Sequence, residues 1–209
     1  MKPNILIIDY EMGNIKSVHN SFNKMGAKVK TSNTRKDIKK ADALILPGVG
    51  AFAKAMQNLE SLNLIDPIVN FAIEKKKPIL GICLGMQLLA ESSAENGFNE
   101  GLSLIPGNVK PIKRLKGLRL PHIGWNELEV KTESPLFNGI VEDSFYFVHS
   151  YYFKTKKKNI SATVDYGYKI TSAVQNENIF GVQFHPEKSQ TGGMKLISNF
   201  ITLISKGRY

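Results

Sequence analysis

The sequence predicts a three-layer α/β domain in which a mostly parallel central sheet is extended by antiparallel strands and covered by helices. Three observations predict it. The first half alternates continuous apolar runs with segments of helical period. The second half changes to β-branched and aromatic alternation, punctuated by Gly-Asn and Asn-Gly steps. No repeat or low-complexity linker interrupts the 209 residues, so 1–209 is expected to form a single domain.

The elements follow in order. NILIID, 4–9, is an apolar run of parallel-strand type. A helix follows, with Ile15, Val18, Phe22 and Met25 on one face and Gly26 as its stop. A short strand is expected at 28–30 and another at 43–47, ended by Pro47-Gly48. Helices are expected at 51–61 and 66–76, the second with Pro67 in its first turn. PILGI, 78–82, is the next strand, and a helix leaves it, running to about Ser93. Five strand segments come next: 126–130, 144–153, 160–167, 169–175 and 179–184. A last helix at about 193–206 carries Met194, Ile197, Phe200, Ile201 and Ile204 on one face. In such sheets ligands bind beyond the carboxyl ends of the strands, so Cys83 and the Pro47–Gly50 turn are placed to share one crevice.

Composition excludes several classes. Hydrophobic residues make up 42% of the chain, enough for a full core. No apolar stretch approaches the roughly 20 residues needed to span a bilayer, and the first residues lack the core and cleavage site of a signal peptide. Net charge is +10, yet only four of the 28 basic residues are arginine, and the lysines are scattered. Lysine is a solvated point charge, whereas arginine does the bidentate work of phosphate and base recognition, so nucleic-acid binding is not expected. The single cysteine rules out a disulfide framework and favours a reducing interior such as the cytoplasm. The four histidines have no metal-ligand spacing, so neither metal nor cofactor is expected.

That one cysteine is the most informative residue. Cys83 stands between Gly81 and Gly85, with an apolar strand before it and a helical pattern after it. G-x-C-x-G in that setting is a nucleophile elbow, in which a strained turn pushes the nucleophile out above the sheet. A buried core cysteine is the alternative. A cysteine nucleophile needs a base, and the base needs a group to orient it. His19 lies beside the apolar stripe of the first helix, where a structural role is expected. His122 is read as a loop residue and His149 as a satisfied sheet histidine. His185 differs, because it ends an apolar strand and is followed by Pro186 and Glu187. Proline fixes its own φ and restrains the residue before it, so the step can hold imidazole and carboxylate in a set relation.

GICLGMQ at 81–87 and HPE at 185–187 resemble the class I (triad) glutamine amidotransferases. DYEMGNIKSV at 9–18, LPGVGAF at 46–52, LPHIGWNE at 120–127, FVHSYY at 147–152 and GVQFHPEKS at 181–189 narrow the likeness. Together they look like the glutaminase subunits of imidazole glycerol phosphate synthase, over nearly the whole chain. The resemblance implies hydrolysis of L-glutamine to glutamate and ammonia through a γ-glutamyl thioester. It implies Cys83 as nucleophile, His185 as base and general acid, and Glu187 as orienting acid. Leu84 and the turn Gly48, Val49 and Gly50 would meet the oxyanion. Gln87, Ser150 and Tyr151 would contact the substrate. It further implies a (β/α)₈ cyclase partner that uses the ammonia to make imidazole glycerol phosphate and AICAR in histidine biosynthesis. Asn14, Trp125, Tyr146 and Lys188 match positions near the interface of that heterodimer. Glu11 departs from the pattern, standing where many relatives have glycine. An amidotransferase subunit for another acceptor, such as a surface sugar, and a stand-alone γ-glutamyl hydrolase remain as alternatives.

Overall fold

The parallel half of the molecule is built from the apolar runs. The computed structural model describes residues 2–131, 134–141 and 144–207. The chain runs β1 (Asn4–Ile8), α1 (Ile15–Lys24), β2 (Lys28–Ser32), α2 (Arg35–Lys40), β3 (Ala43–Gly48), α3 (Phe52–Ser61), α4 (Ile65–Ile73), β4 (Ile79–Cys83) and α5 (Leu84–Leu88). It continues through β5 (Ser92–Ser93), β6 (Asn99–Glu100), β7 (Gly107–Pro111), β8 (His122–Val130), β9 (Ser144–His149) and β10 (Tyr151–Thr155). β11 (Ile160–Asp165), β12 (Lys169–Asn176), β13 (Ile179–Val182) and α6 (Gln190–Lys206) complete it.

Nine strands form the main sheet in the order β2-β1-β3-β4-β13-β12-β11-β8-β9. Pairing is parallel from β2 to β13 and antiparallel from there to β9. A second sheet, β10-β7-β5-β6, packs beside it. β3, β4 and β13 are buried along their whole length, which explains their unbroken apolar character. β1 alternates between two cores. Ile5 and Ile7 join Val18, Phe22 and Phe200, under α1 and α6, while Leu6 and Ile8 join Phe52, Ile68 and Phe71, under α3 and α4. The result is the three-layer arrangement expected. Among the described residues no helix is long and apolar enough to cross a membrane.

Four local expectations need correction. The helix leaving β4 ends at Leu88, not near Ser93, because the backbone of 91–94 is captured by β7: Glu91 N donates to Gly107 O and Ala94 N to Val109 O. Tertiary pairing overrides helix propensity there. The run 144–153 is two strands in different sheets, with the chain passing between them at Ser150. His122 is not in a loop; it opens β8 opposite His149 and is fully buried. α2 is an addition to the expected elements, although Thr34 and Asp37 form its reciprocal cap: Asp37 N donates to Thr34 Oγ1, and that hydroxyl donates to the Asp37 carboxylate.

Candidate active site

Cys83 ends β4 with φ 55° and ψ −111°, a left-handed backbone that a residue with a side chain adopts only under constraint. The two glycines make the turn possible. A Cβ on Gly81 would stand 2.5 Å from Gly85 O, and one on Gly85 would overlap the Leu46 carbonyl, 2.7 Å from its carbon. The elbow is therefore wedged against β3, and Gly48 of β3 lies in register opposite Cys83. The Cys83 sulfur is 3.7 Å from Val148 O and 3.7 Å from the side-chain nitrogen of Gln183.

His185 is fixed from three directions. Its N–H donates to Tyr146 O at 2.9 Å, its carbonyl accepts from Ser189 Oγ at 2.6 Å, and its Nδ1 lies 2.8 Å from Glu187 Oε1. A carboxylate only accepts, so Nδ1 carries the proton, and Nε2 is the ring atom left for Cys83. The Glu187 side chain is 2% exposed, and its Oε2 has no hydrogen-bond partner among the described residues. Burial opposes a charged imidazole at His185. The neighbouring Cys83 and Glu187 outweigh it and push the pKa up to about 10. A thiol, an imidazole and a buried carboxylate in this order can move a proton off sulfur and keep it on the ring.

The Pro47–Gly50 turn faces the elbow. Tyr10, fully buried, donates its hydroxyl to Pro47 O. Burial, then the charge of Cys83, pushes the Tyr10 pKa above its ordinary range, so the phenol stays a donor. A Cβ on Gly48 would run into that hydroxyl and stand 3.0 Å from Leu84 Cβ. Gly48 is thus glycine for packing, and its peptide is held. Conformational freedom lies further along, at Gly50, with φ +103°.

Val49, Gly50, Cys83, Leu84, Gln87, Ser150, Tyr151, His185 and Lys188 line one cavity of about 340 Å³. Gly48 and Glu187 are not part of its wall; they sit behind Cys83 and His185 as supports. Gln87 donates from its amide nitrogen to Tyr151 O at 3.1 Å and to Gln183 Oε1 at 2.9 Å. Trp125 and Tyr146 pair across β8 and β9 with ring centroids 5.9 Å apart, and Lys188 Nζ lies 5.7 Å over the Tyr146 ring. Trp125 is 45% exposed, as is Val49. Asn14 caps α1, its Oδ1 accepting from Ser17 N.

Sequence reasoning missed Glu95 and Gln183, and read His149 correctly as a sheet histidine without placing it in the cavity wall. Glu95 lines the cavity and accepts from Phe52 N at 2.7 Å; no sequence pattern marks it. His149 lines the cavity too, in keeping with a satisfied sheet histidine: Nδ1 donates to Tyr151 O at 2.8 Å, and Nε2 lies 2.9 Å from His122 Nδ1. Burial pushes its pKa down to about 3 against the pull of that carbonyl, with the charges of His122 and His185 adding to the fall. Burial also lowers His122, against its bond to Asn126. Gln183, in the motif GVQFHPEKS, is fully buried beside Cys83, and only its nearness to His185 in sequence could have flagged it.

Residues 6–203 match the family described as glutamine amidotransferase class-I. The chain is 49% identical over 200 residues to the imidazole glycerol phosphate synthase subunit HisH 1 of Campylobacter jejuni (strain RM1221), covering 95% of this chain and 100% of that one. It is 50% identical over 202 residues to imidazole glycerol phosphate synthase subunit HisH of Sulfurimonas denitrificans, covering 94% and 96%. In fold it resembles a solved glutamine amidotransferase, with a TM-score of 0.73, 19% identity and coverage of 96% and 98%. It also resembles the PurLQS structure from Thermotoga maritima, with a TM-score of 0.72, 18% identity and coverage of 97% and 99%.

Proposed function

The chain belongs to the class-I glutamine amidotransferases, among the HisH subunits of imidazole glycerol phosphate synthase, and on that premise we propose how its residues hydrolyse glutamine. The observation that carries the proposal is His185, held by buried Glu187 on Nδ1 and itself a hydrogen-bonding neighbour of Cys83, with which it lines one cavity.

Cys83 passes its proton to His185 Nε2, and the thiolate attacks the side-chain amide carbon of glutamine. The tetrahedral oxyanion is met by the N–H of Leu84 and by a donor of the Val49–Gly50 segment. A single such donor is worth about 10²–10³ in rate. His185 returns the proton to the amide nitrogen, the C–N bond breaks, and ammonia leaves. Water then gives a proton to His185 as it attacks the γ-glutamyl thioester; glutamate departs and the proton returns to sulfur. Gln87, with both amide hydrogens committed, offers its oxygen to the substrate, beside the backbone of Ser150 and Tyr151. Glu95 supplies the negative charge that suits the α-ammonium group.

The partner is a cyclase subunit that consumes the ammonia to form imidazole glycerol phosphate in histidine biosynthesis, in the cytoplasm. Trp125, Tyr146, Lys188 and Asn14 form its docking rim. Ammonia is protonated in bulk water, so its production should wait for an occupied acceptor site, which makes activation a coupling between two chains. Glutamate release tests this. It should be slow for the lone chain and rise by orders of magnitude with the cyclase and its nucleotide ligand. Full activity of the lone chain overturns the coupled reading, and activation by a different acceptor system redirects it.

A further inference from the structure

We propose that Gln183 is a further catalytic residue, an amide donor aimed at the Cys83 sulfur whose direction is enforced by a main-chain carbonyl two hydrogen bonds away. The inference rests on the reading of Cys83 as nucleophile and goes beyond the triad.

Gln183 follows β13, its N–H donating to Ser172 O at 2.8 Å, and its side chain is wholly buried. Its amide spans two partners, with Nε2 3.7 Å from Cys83 Sγ and Oε1 2.9 Å from Gln87 Nε2. Side-chain amides can turn over, so their direction has to be argued from the network. Here the network decides it. Tyr151 O can only accept, and it already receives His149 Nδ1 at 2.8 Å. Gln87 therefore presents nitrogen to Tyr151 O, at 3.1 Å. That same nitrogen faces Gln183, which must present oxygen to it. The remaining end of the Gln183 amide, its nitrogen, is left on the sulfur. Turning Gln183 over would set two donors against each other at Gln87, and turning both amides would set two oxygens against each other at Tyr151.

The polarity matters because the sulfur has a second neighbour of the opposite kind. Val148 O, 3.7 Å away, accepts the thiol proton but repels a thiolate. Gln183 N–H does the reverse, since a hydrogen bond to an ionised acceptor is about twice as strong as one to a neutral acceptor. No proton leaves Gln183 at any step. The proton goes from sulfur to His185, and Gln183 holds the sulfur that remains. A buried amide placed only for packing would have no reason to be oriented by a relay.

The chain has one cysteine, so alkylation by iodoacetamide reports on Cys83 alone. In Gln183→Met, of similar shape without the donor, the profile of alkylation rate against pH should move about one unit upward. The rate at neutral pH should then be about tenfold lower, with the same plateau at high pH because access is unchanged. Gln87→Met, which frees the Gln183 amide to turn, should give a smaller shift in the same direction and covers the case of a Gln183 variant that fails to fold. Profiles that superimpose on that of the native chain overturn the inference, and so does a lowered plateau without a shift. Glutamate release by the native chain with its cyclase is measured alongside. If that is absent, the glutaminase reading fails, while the alkylation profiles still decide the role of Gln183.

Discussion

Gly85 lies so close beneath β3 that a Cβ on it would stand 2.7 Å from the carbonyl carbon of Leu46. Nothing at that contact is a flexible side-chain end, so the strand itself must yield. Gly85→Ala should cost about 3 kcal/mol or more in urea denaturation. Gly26→Ala is the control. Gly26 has φ +90° and nothing within 4 Å of where a Cβ would stand, so it should lose only about 1 kcal/mol. Equal losses at the two sites contradict the wedge.

With the proposed cyclase partner, Cys83→Ala should abolish glutamine-dependent synthesis and leave ammonia-dependent synthesis intact. Steady-state rates with each nitrogen source decide it. Parallel loss of both makes Cys83 a structural residue.

Glu187→Gln should lower kcat by on the order of 10²–10⁴, with a smaller change in KM. The side chain is 2% exposed and its Oε1 anchors His185 Nδ1, so an amide there can present the wrong partner to the ring. A near-native kcat shows that the carboxylate is dispensable.

Tyr10→Phe removes the only hydroxyl donor assigned to Pro47 O among the described residues. A buried carbonyl left without its donor costs about 1–3 kcal/mol. The freed Pro47–Gly48 peptide should also lower kcat about tenfold at nearly constant KM, because the turn is proposed to serve the oxyanion and not the ground state. A loss of stability alone separates Tyr10 from catalysis.

Acid should destabilise the fold through the paired histidines. His149 is held down to about 3 by burial, whereas the unfolded side chain protonates near 6.5. Below about pH 6.5 the unfolded state binds more protons, so stability falls with falling pH until about pH 3, by up to about 1.4 kcal/mol per unit for one histidine. His122, also lowered, adds to the slope. His185 acts in the opposite sense: its contribution is full below about pH 6.5 and is lost as pH rises toward about 10. Urea denaturation between pH 7.5 and 5 should show a shallower slope for His149→Asn than for the native chain, and an unchanged slope counts against a neutral buried His149.

Much of the site was legible because its parts sit at punctuation marks in the sequence. Gly81 and Gly85 bracket the elbow, Pro186 restrains His185, and Pro47-Gly48 ends a strand, so local sterics announced them. The parallel half was legible for a similar reason, since β3 and β4 are buried on both faces and read as unbroken apolar runs. What escaped notice depends on distant pairing. Ser92 and Ser93 look like a helix end until β7 claims their backbone, and His122 looks like a loop residue until β9 lies alongside it. Glu95 carries no local signature, and Gln183 only its place two residues before His185, because their partners, Phe52 N and the Cys83 sulfur, lie far away in sequence. Gly48 was legible as part of the turn but not in its reason, which is the bulk of Tyr10 and Leu84 and not mobility.

The order of the site residues along the chain also sets a timetable. Cys83 is translated about a hundred residues before Gln183 and His185, and β4 has its β13 neighbour only once that last segment exists. At about 5–20 residues per second, the thiol therefore spends some 5–20 s of synthesis without the imidazole and amide proposed to govern it. During that interval it is an ordinary cysteine on a growing chain. The neighbours proposed to set its reactivity arrive together with the closing strand of the parallel sheet, so a truncated product would carry Cys83 without them.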